Sequence, residues 1–376
     1  MFVHILHVVG ARPNFMKAAS VLRALSNAGF RQSLVHTGQH YDANMSDVFF
    51  RELEIPKPDV NLAVGSGSHA QQTARIMTGF ESVVLERNPD LVVVYGDVNS
   101  TVAAALVCAK LQIPVAHVEA GLRSNDRSMP EEINRLLTDQ LSDLLFTPSE
   151  DADRNLQREG IPVERIHLVG NVMIDTLVHL LPRALKKKSK GFPARYALVT
   201  LHRPSNVDDP DVLRRILSSI LAVSKKKDSN NQDLAVVFPM HPRTRVRVSQ
   251  FGMVTDGLHI CDPLSYLEFL ALQAGATVVL TDSGGIQEES TFLGVPCLTL
   301  RANTERPITV EIGTNVLIGN NTDRLRDELA KILNGQQKKG TIPPLWDGQA
   351  GERIARILQQ YFEKRARPAA VSSGLI

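Results

Sequence analysis

The sequence predicts an α/β protein built from two Rossmann-like, doubly wound domains. Short apolar strands alternate with amphipathic helices along the chain, a pattern typical of parallel βαβ units. The 376 residues are enough for two domains at about 150 residues each. A lysine-rich stretch ending in Gly191, Phe192 and Pro193 separates two series of such elements. This composition is typical of a linker.

The N-terminal domain is predicted at residues 1–185. We expect its strands at five apolar runs, which are residues 2–9, 91–95, 115–118, 144–147 and 166–169. A helix at 172–185 ends the domain, and the linker is predicted at 186–195.

The C-terminal domain is predicted at residues 196–350. Six strands are expected in it, at residues 197–201, 235–239, 258–261, 278–281, 297–300 and 315–318. A further helix is predicted in the last segment, 351–376, with an apolar face formed by Ile354, Ile357, Leu358 and Tyr361. This helix can pack back on the N-terminal domain, and a polar tail follows it.

The composition excludes several classes of partner. Lys and Arg number 42 against 40 Asp and Glu, so the chain lacks the strong positive charge with which proteins hold nucleic acid or a membrane surface. No apolar run reaches the length of a membrane span, and His4 and His7 interrupt the first apolar segment. The three cysteines, Cys108, Cys261 and Cys297, lie far apart in apolar patterns and suit buried thiols in a reducing compartment. We therefore expect a cytoplasmic protein.

Ligands of open parallel sheets bind beyond the carboxyl ends of the strands. Two such domains are therefore expected to face each other across a cleft that holds the ligand. After the first strand come Gly10, which permits a tight turn, and a helix start flanked by Arg12 and Lys17. Two cations at a helix N-terminus suit a phosphate group. Simple solvation of the helix end is the alternative.

Three acidic residues follow strands or open a helix in the N-terminal domain. Asp97 follows the strand at 91–95, where it either acts in the site or caps the next helix. Glu119 continues an apolar strand into a turn of small residues, which local structure does not explain, so a functional role is favoured. Glu131 lies at the start of a helix, where an acid is expected structurally; equally, it can pair with Arg135 four residues later.

The C-terminal domain carries a second set of candidates. His202 ends the first strand of that domain and is expected to point into the cleft, and His241 is a similar but weaker case after the next strand. The strongest motif is Ser283, Gly284 and Gly285, where a strand runs directly into a helix start. Free backbone N–H groups and absent side chains there allow a diphosphate to approach closely.

Two later features extend this phosphate motif. Glu288 or Glu289, about one turn into the helix, can accept the two hydroxyl groups of a ribose. Arg306 opens a further helix and adds a cation near the same point.

Neither a nicotinamide cofactor nor a metal is expected. Residues 65–70 fit the pattern G-x-G-x-x-A, but they do not follow the first strand, and no acid ends a strand about 20 residues later. The sequence has no H-E-x-x-H motif and no cluster of His and Cys with metal-ligand spacing.

Seven motifs in this order resemble the non-hydrolysing UDP-N-acetylglucosamine 2-epimerases: GARPNFMK, GDVNST, HVEAGLR, PEEINRLLTDQLSD, LHRPSN, TDSGGIQEE and NTERP. The resemblance runs from about residue 3 to about residue 320. It implies a glycosyltransferase-B-like fold, a homodimer, and a role in cell-surface polysaccharide biosynthesis. The implied reaction interconverts UDP-N-acetylglucosamine (UDP-GlcNAc) and UDP-N-acetylmannosamine (UDP-ManNAc) without metal or nicotinamide.

The resemblance also implies a role for each matching residue. The implied catalytic residues are Asp97, Glu119, Glu131 and His202. The implied substrate-binding residues are Arg12, Lys17, Arg135, Ser283, Gly284, Gly285, Glu289 and Arg306. His241 is added to this set because it follows a predicted strand. In the implied chemistry, loss of UDP from C1 accompanies removal of the C2 proton and gives 2-acetamidoglucal.

Two departures from the family pattern leave the sugar open. Many bacterial members have His-Arg-x-Glu-Asn where this chain has His202-Arg203-Pro204-Ser205-Asn206, and Glu is common where Asn14 stands. A modified UDP-sugar, such as UDP-2,3-diacetamido-glucuronate or a 6-deoxy sugar, is therefore one alternative. A hydrolysing relative that releases UDP and ManNAc is another, and a retaining glycosyltransferase or a non-catalytic nucleotide-sugar sensor are more distant ones.

Overall fold

The computed structural model describes residues 3–39, 50–187, 191–224 and 233–366. The chain divides into two compact units. Unit 1 contains Met1–Gly121, Arg127–Thr176 and Asp347–Ile376, and unit 2 contains Leu122–Asp126 and Leu177–Trp346.

Unit 1 is built on a parallel sheet that has seven strands within the described ranges, in the order β3-β2-β1-β4-β5-β6-β7. The strands are β1 His4–Val9, β2 Arg31–His36, β3 Val60–Asn61, β4 Leu91–Tyr95, β5 Val115–Val118, β6 Leu144–Thr147 and β7 Ile166–Leu168. The helices are Arg12–Asn27, His69–Arg87, Asn99–Leu111, Pro130–Leu141, Glu150–Arg158, Val172–Lys186 and Ala350–Ala366, with a 3-10 turn at Val163–Arg165.

Five of these strands were predicted from their apolar runs, and β2 and β3 were not. β2 begins with Arg31, which is exposed, and Gln32, which is partly buried. Only the second half of the strand has an apolar pattern. β3 is two residues long. β2 owes its place to pairing with the buried strand β1, and β3 owes its place to pairing with β2.

Unit 2 is also built on a parallel sheet, with six strands within the described ranges, in the order β10-β9-β8-β11-β12-β13. The strands are β8 Tyr196–Thr200, β9 Ala235–Pro239, β10 His259–Cys261, β11 Val278–Thr281, β12 Cys297–Thr299 and β13 Asn315–Leu317. The helices are Pro204–Val207, Pro210–Ser224, Pro242–Gln250, Tyr266–Gly275, Gly284–Leu293, Pro307–Glu311 and Thr322–Leu333. Each predicted strand end lies within one residue of the observed one, and the predicted fold class is confirmed.

The strand orders explain where the candidate residues lie. The winding direction reverses between β1 and β4 in unit 1, and between β8 and β11 in unit 2. Loops at such a switch point diverge above the sheet and leave room for a ligand. Lys17 and Asp97 follow β1 and β4, and His202 and Ser283 follow β8 and β11. The sequence motifs therefore lie at the switch point of each unit.

The boundary between the units falls inside the helix Val172–Lys186, between Thr176 and Leu177, which is earlier than the predicted linker at 186–195. The helix crosses the boundary because its first turn is bound to unit 1. Thr176 Oγ1 donates to the carbonyl oxygen of Met16 at 2.7 Å.

The helix Ala350–Ala366 belongs to unit 1. Its first backbone N–H groups, of Ala350 and Gly351, donate to the carboxylate of Asp175 at 3.1 and 2.7 Å. A Cβ atom at Gly351 would lie 2.9 Å from the backbone oxygen of Ser20, so only glycine permits this close packing. Ile354 is fully buried, as the predicted apolar face requires.

The three cysteines differ in burial. Burial raises the pKa of Cys108 and of Cys297 to about 12. Cys261 is only partly buried, in contrast to the prediction of three buried thiols.

Within the described ranges, no helix combines the length and the apolar composition that a membrane crossing requires.

Candidate active site

In unit 1 the ammonium group of Lys17 donates to the carboxylate oxygen Oε2 of Glu119. Each of these two side chains is only 5% exposed. Lys17 lies one turn into the helix Arg12–Asn27, and Glu119 directly follows β5. The sequence predicts Lys17 as a cation that binds a phosphate, but in this structure its positive charge is compensated by Glu119, the predicted catalytic acid. The side chain of Arg12 lies outside the described residues.

The backbone around this ion pair is unusual. Glu119 has a φ of 70°, a left-handed conformation that is rare for a residue other than glycine. Gly96, at the end of β4, also has a positive φ, and a Cβ atom there would overlap Lys17 Nζ and lie 3.1 Å from Glu119 Oε2. Strained backbone of this kind clusters at functional sites. Gly96 therefore leaves the space in which Lys17 and Glu119 meet.

Asn14 fixes the start of the helix that carries Lys17. Its side-chain oxygen accepts from the backbone N–H groups of Gly10 and Ala11 at 3.2 and 3.0 Å. Its amide nitrogen donates to the carbonyl oxygen of Tyr95 at 2.7 Å. Asn14 thus ties the loop after β1 to the end of β4, a role that the sequence comparison of this position did not reveal.

Asp97 lies beside Arg135, and the capping alternative for Asp97 is not adopted. Arg135 Nε and Nη2 lie 2.9 and 2.8 Å from Asp97 Oδ2. The helix Asn99–Leu111 is preceded by Val98 as its N-cap residue. The side chain of Asp97 is 24% exposed, so it is accessible to a ligand while Arg135 holds it.

Of the two alternatives for Glu131, the pairing with Arg135 is not adopted. Arg135 pairs instead with Glu132, three residues earlier in the helix, and both side chains are almost fully buried. The side chain of Glu131 is exposed. Positions three and four residues apart are both neighbours on a helix, and here the helix turns Glu132 inward. Spacing along the helix therefore allows either glutamate as the partner of Arg135, and packing selects Glu132.

In unit 2, His202 lies beside Asp282, a residue that the sequence analysis did not select. His202 Nδ1 is 2.9 Å from Asp282 Oδ1, and the backbone N–H groups of His202 and Arg203 also donate to this carboxylate. Burial raises the pKa of Asp282, but the hydrogen bond and charge of His202 and the backbone donors outweigh burial and hold the pKa below its usual value. The signal for Asp282 was its place at the end of β11, equivalent to Asp97 after β4.

His241 lies close to His202 but has a local structural role. The two ring centroids are 5.8 Å apart. His241 is the N-cap of the helix Pro242–Gln250, and its Nδ1 accepts from the backbone N–H of Arg243 at 3.2 Å. Its predicted part in substrate binding stays a prediction.

The Ser283, Gly284 and Gly285 segment forms the start of the ten-residue helix Gly284–Leu293. Ser283 is the N-cap residue, and its side chain makes no capping hydrogen bond among the described residues. A Cβ atom at Gly284 would lie 2.5 Å from Arg306 Nη1 and 2.9 Å from Glu305 Oε1. Gly284 therefore lets an arginine and a glutamate pack directly against the first turn of the helix.

The positive charge of Arg306 is compensated by two carboxylates, whereas that of Lys17 is compensated by one. Its Nε lies 3.0 Å from Glu288 Oε1, and its Nη1 pairs with Glu305. Glu305 also accepts from Arg301 Nη2 at 2.7 Å. All of these side chains are less than 10% exposed. The sequence predicted this cation, but it offered Glu288 only as a ribose-binding acid and did not select Glu305.

Glu289, the predicted ribose-binding acid, is buried in the same helix. Tyr266 donates its hydroxyl group to Glu289 Oε1 at 2.9 Å. Burial raises the pKa of Glu289 to about 7, although the hydrogen bond from Tyr266 opposes this shift. Its contact with a ribose stays a prediction.

Among the residues that the structure describes, no group of three His, Cys, Asp or Glu side chains is arranged to hold a metal ion.

Comparison with known proteins finds similarity of this chain to one family. The family model described as UDP-N-acetylglucosamine 2-epimerase matches residues 23–359. The UDP-N-acetylglucosamine 2-epimerase of Methanocaldococcus jannaschii is 44% identical over 363 residues, which cover 93% of this chain and 97% of that protein. The UDP-2,3-diacetamido-2,3-dideoxy-D-glucuronate 2-epimerase of Pseudomonas aeruginosa is 42% identical over 363 residues, covering 94% of this chain and 99% of that protein.

Solved structures give the same result. The crystal structure of the M. jannaschii UDP-GlcNAc 2-epimerase in complex with UDP-GlcNAc and UDP matches with a TM-score of 0.88 and 43% identity, over 95% of this chain and 100% of that chain. The Neisseria meningitidis UDP-GlcNAc 2-epimerase bound to UDP-GlcNAc matches with a TM-score of 0.86 and 32% identity, again over 95% and 100%.

Proposed function

The chain belongs to the UDP-N-acetylglucosamine 2-epimerase family, and we propose that it interconverts UDP-GlcNAc and UDP-ManNAc. The observation that carries this proposal is the pair of acids at the switch point of unit 1. Glu119 is held by Lys17, and Asp97 is held by Arg135. Two proton-transfer groups suit an inversion at one carbon, because one can remove the proton from one face of the sugar and the other can return it to the opposite face.

The proposed reaction is an elimination followed by re-addition. The hydrogen at C2 is not next to a carbonyl group, so its direct removal is unfavourable. When the bond from C1 to the UDP oxygen breaks, a base removes the C2 proton and the electron pair of that C–H bond forms the C1–C2 double bond. The products are UDP and 2-acetamidoglucal. Addition of a proton to the opposite face of C2 and of UDP to C1 completes the inversion.

Unit 2 is proposed to bind the nucleotide. The helix start at Ser283, Gly284 and Gly285 offers backbone N–H groups and a partial positive charge to the diphosphate. Arg306 lies against Gly284 and adds a cation. Charge develops on the diphosphate as it leaves C1, so groups fixed at this point stabilise the transition state. Glu289 is proposed to accept from the ribose hydroxyl groups.

Unit 1 is proposed to supply the proton transfers. Lys17 and Glu119 share a direct hydrogen bond through which a proton can move, and Asp97 is the second carboxylate. Glu131 and His202 remain candidates for the other face. A carboxylate such as Asp282 only accepts hydrogen bonds, so Nδ1 of His202 carries a proton and a neutral His202 has its lone pair at Nε2.

A modified UDP-sugar is the second candidate substrate. The P. aeruginosa relative named for UDP-2,3-diacetamido-2,3-dideoxy-D-glucuronate is 42% identical to this chain, and the M. jannaschii relative is 44% identical. Identity therefore does not separate the two substrates. Ser205, at one of the positions that depart from the family pattern, is exposed and next to the His202 loop.

A panel of UDP-sugars tests the proposal. The purified chain is incubated with UDP-GlcNAc, UDP-2,3-diacetamido-glucuronate and a 6-deoxy UDP-sugar, and products are separated by anion-exchange chromatography. We expect the C2 epimer of UDP-GlcNAc to form to an equilibrium ratio. Free UDP with ManNAc favours a hydrolysing enzyme, and turnover of only a modified sugar reassigns the substrate.

The family resemblance also supports finer proposals about the setting. We propose a homodimer that acts in the cytoplasm to supply a nucleotide sugar for cell-surface polysaccharide. Sedimentation of the purified chain measures the first of these: a monomer at micromolar concentration contradicts it.

A further inference from the structure

His117 is a fully buried titratable residue for which the reaction has no direct use. It lies in β5 and pairs with Val94 of β4 and Leu145 of β6. Asp139, in the helix Pro130–Leu141, faces its ring and is also fully buried. Histidine and aspartate in the interior of a parallel sheet layer are costly unless each polar atom has a partner.

The ring of His117 joins two loops through an unbroken set of hydrogen bonds. Its Nε2 lies 2.8 Å from the carbonyl oxygen of Gly96. Its Nδ1 lies 2.6 Å from Asp139 Oδ1. The other carboxylate oxygen, Asp139 Oδ2, accepts from the backbone N–H of Gly121 at 3.1 Å. The chain of contacts therefore runs from Gly96 to Gly121.

The proton count of this pair follows from the chemistry of the partners. A carbonyl oxygen only accepts, so Nε2 of His117 carries a proton. A second proton lies between Nδ1 and Asp139 Oδ1. With two protons the pair has no net charge, whichever atom holds the second one. A neutral pair avoids the large cost of burying a single charge.

Both ends of this hydrogen-bond chain are loops that carry the proposed catalytic acids. The carbonyl group of Gly96 belongs to the peptide that leads into Asp97. Gly121 follows Glu119 by two residues, and the three residues Gly96, Glu119 and Gly121 all have positive φ values, of 62°, 70° and 80°. Glycine adopts such a conformation freely, but at Glu119 it is strained and persists only where surrounding contacts enforce it. His117 and Asp139 supply contacts of this kind to both loops.

We propose that His117 and Asp139 are positioning residues that hold Asp97 and Glu119 in a fixed relation to each other. This inference rests on the proposed function, because it assigns the two acids to one reaction. The pair does not touch the substrate. It acts by fixing the peptide after Gly96 and the turn at Gly121, so that both carboxylates stay in place while a proton leaves one face of C2 and returns to the other.

Two substitutions at Asp139 separate positioning from simple stability. In Asp139→Asn, the amide oxygen can accept from Gly121 and the amide nitrogen can donate to Nδ1, while Nε2 keeps its proton. We expect this variant to retain most of its kcat. In Asp139→Ala both contacts are lost, and we expect kcat to fall roughly 10²-fold, as a displacement of about 1 Å can cause, with KM and UDP affinity unchanged. Equal losses in both variants, or a loss of UDP affinity alone, overturn the proposal.

A second pair of variants covers the case in which Asp139→Ala does not fold. His117→Gln can still donate to the Gly96 carbonyl group, whereas His117→Phe cannot. Far-UV circular dichroism and UDP binding show whether each variant is folded. Among folded variants we expect His117→Gln to keep a higher kcat than His117→Phe, and equal values contradict the positioning role.

A measurement without turnover separates this inference from the proposed function. Nitrogen-15 NMR of the full chain, labelled at histidine, reports the protons of the His117 ring. We expect a slowly exchanging N–H at Nε2 that broadens or is lost in Asp139→Ala. An Nε2 without a proton overturns the inference. If the wild-type chain turns over no UDP-sugar, the proposed function fails, and the ring-proton result still reports on the pair.

Discussion

Lys17 and Glu119 meet in a space that exists only because residue 96 is glycine. The ammonium group comes from the helix after β1 and the carboxylate from the turn after β5, 102 residues apart in the chain. Gly96, at the end of the intervening strand β4, leaves the gap. The positive φ of Glu119 then directs this acid toward the lysine. Three strands of one sheet thus cooperate to build a single ion pair at the switch point.

Substitution of Gly96 tests whether this ion pair matters for turnover. In Gly96→Ala the new Cβ atom overlaps Lys17 Nζ, so we expect kcat to fall roughly 10²-fold. The left-handed φ adds a loss in the free energy of unfolding of about 1–2 kcal/mol. The matched control is Gly160→Ala, which has a φ of +80° but no atom within 4 Å of the new Cβ. Steady-state kinetics of both variants show whether the overlap with Lys17, and not backbone strain alone, lowers kcat. Equal kcat values in the two variants contradict a role of the ion pair in turnover.

Glu131 and Glu132 are neighbours with opposite surroundings and therefore form a test pair. Glu132→Gln breaks a buried ion pair with Arg135, and we expect the free energy of unfolding to fall by about 3 kcal/mol. Glu131→Gln changes an exposed side chain, so we expect unchanged stability but a lower kcat if Glu131 transfers a proton. Urea unfolding and steady-state kinetics on both variants check this. An unchanged kcat for Glu131→Gln removes that residue from the catalytic set.

Asp282 is expected to act through His202. In Asp282→Asn the acceptor for Nδ1 is weakened, so His202 can adopt other orientations and tautomers. We expect kcat to fall at least tenfold if His202 transfers a proton, since such transfers are worth about 10² to 10⁴. The hydrogen bonds from the backbone N–H groups of His202 and Arg203 to this carboxylate are also weakened, so we expect the free energy of unfolding to fall by about 2 kcal/mol.

Two controls complete this test. Asp256→Asn changes an exposed aspartate in the same unit, and we expect wild-type kinetics from it. The pH profile of kcat gives the second readout: if His202 takes no part, Asp282→Asn leaves the shape of the profile unchanged.

Asp175 makes stability depend on pH. Burial raises the pKa of Asp175 to about 6, although the backbone N–H groups of Gly351 and Ala350 oppose the shift. The folded chain therefore holds this proton more tightly than the unfolded chain, whose Asp has a pKa of about 3.9. The stabilising contribution is present below pH 4 and is lost as the pH rises through 6, by up to about 3 kcal/mol.

The Asp175→Asn variant isolates this contribution. Urea unfolding between pH 4 and pH 7 gives the free energy of unfolding of both chains, and Glu81→Gln, an exposed change in the same unit, is the control. We expect the wild-type chain to lose more stability over this range than Asp175→Asn. Parallel pH dependences in the two chains contradict the assignment.

The sequence predicts most of the fold because the strands of parallel sheets are short apolar runs, as in β4 and β11. β2 escaped prediction because Arg31 and Gln32 give it a polar first half. Of the site, the residues at strand ends could be predicted, since Glu119 directly follows β5 and Asp97 lies two residues after β4. The partners of these acids could not. Which helix face turns inward decides between Glu131 and Glu132, and the meeting of Lys17 with Glu119 depends on the packing of distant segments.

The central claim is that the carboxylates of unit 1 exchange the C2 proton of a UDP-sugar. Proton NMR of the purified chain with UDP-GlcNAc in D2O tests it most directly. We expect UDP-ManNAc to accumulate, with deuterium at C2 in both sugars, and the exchange to be lost in Glu119→Gln or in Asp97→Asn. Formation of UDP-ManNAc with the original proton retained at C2, or exchange that survives both substitutions, would contradict the claim.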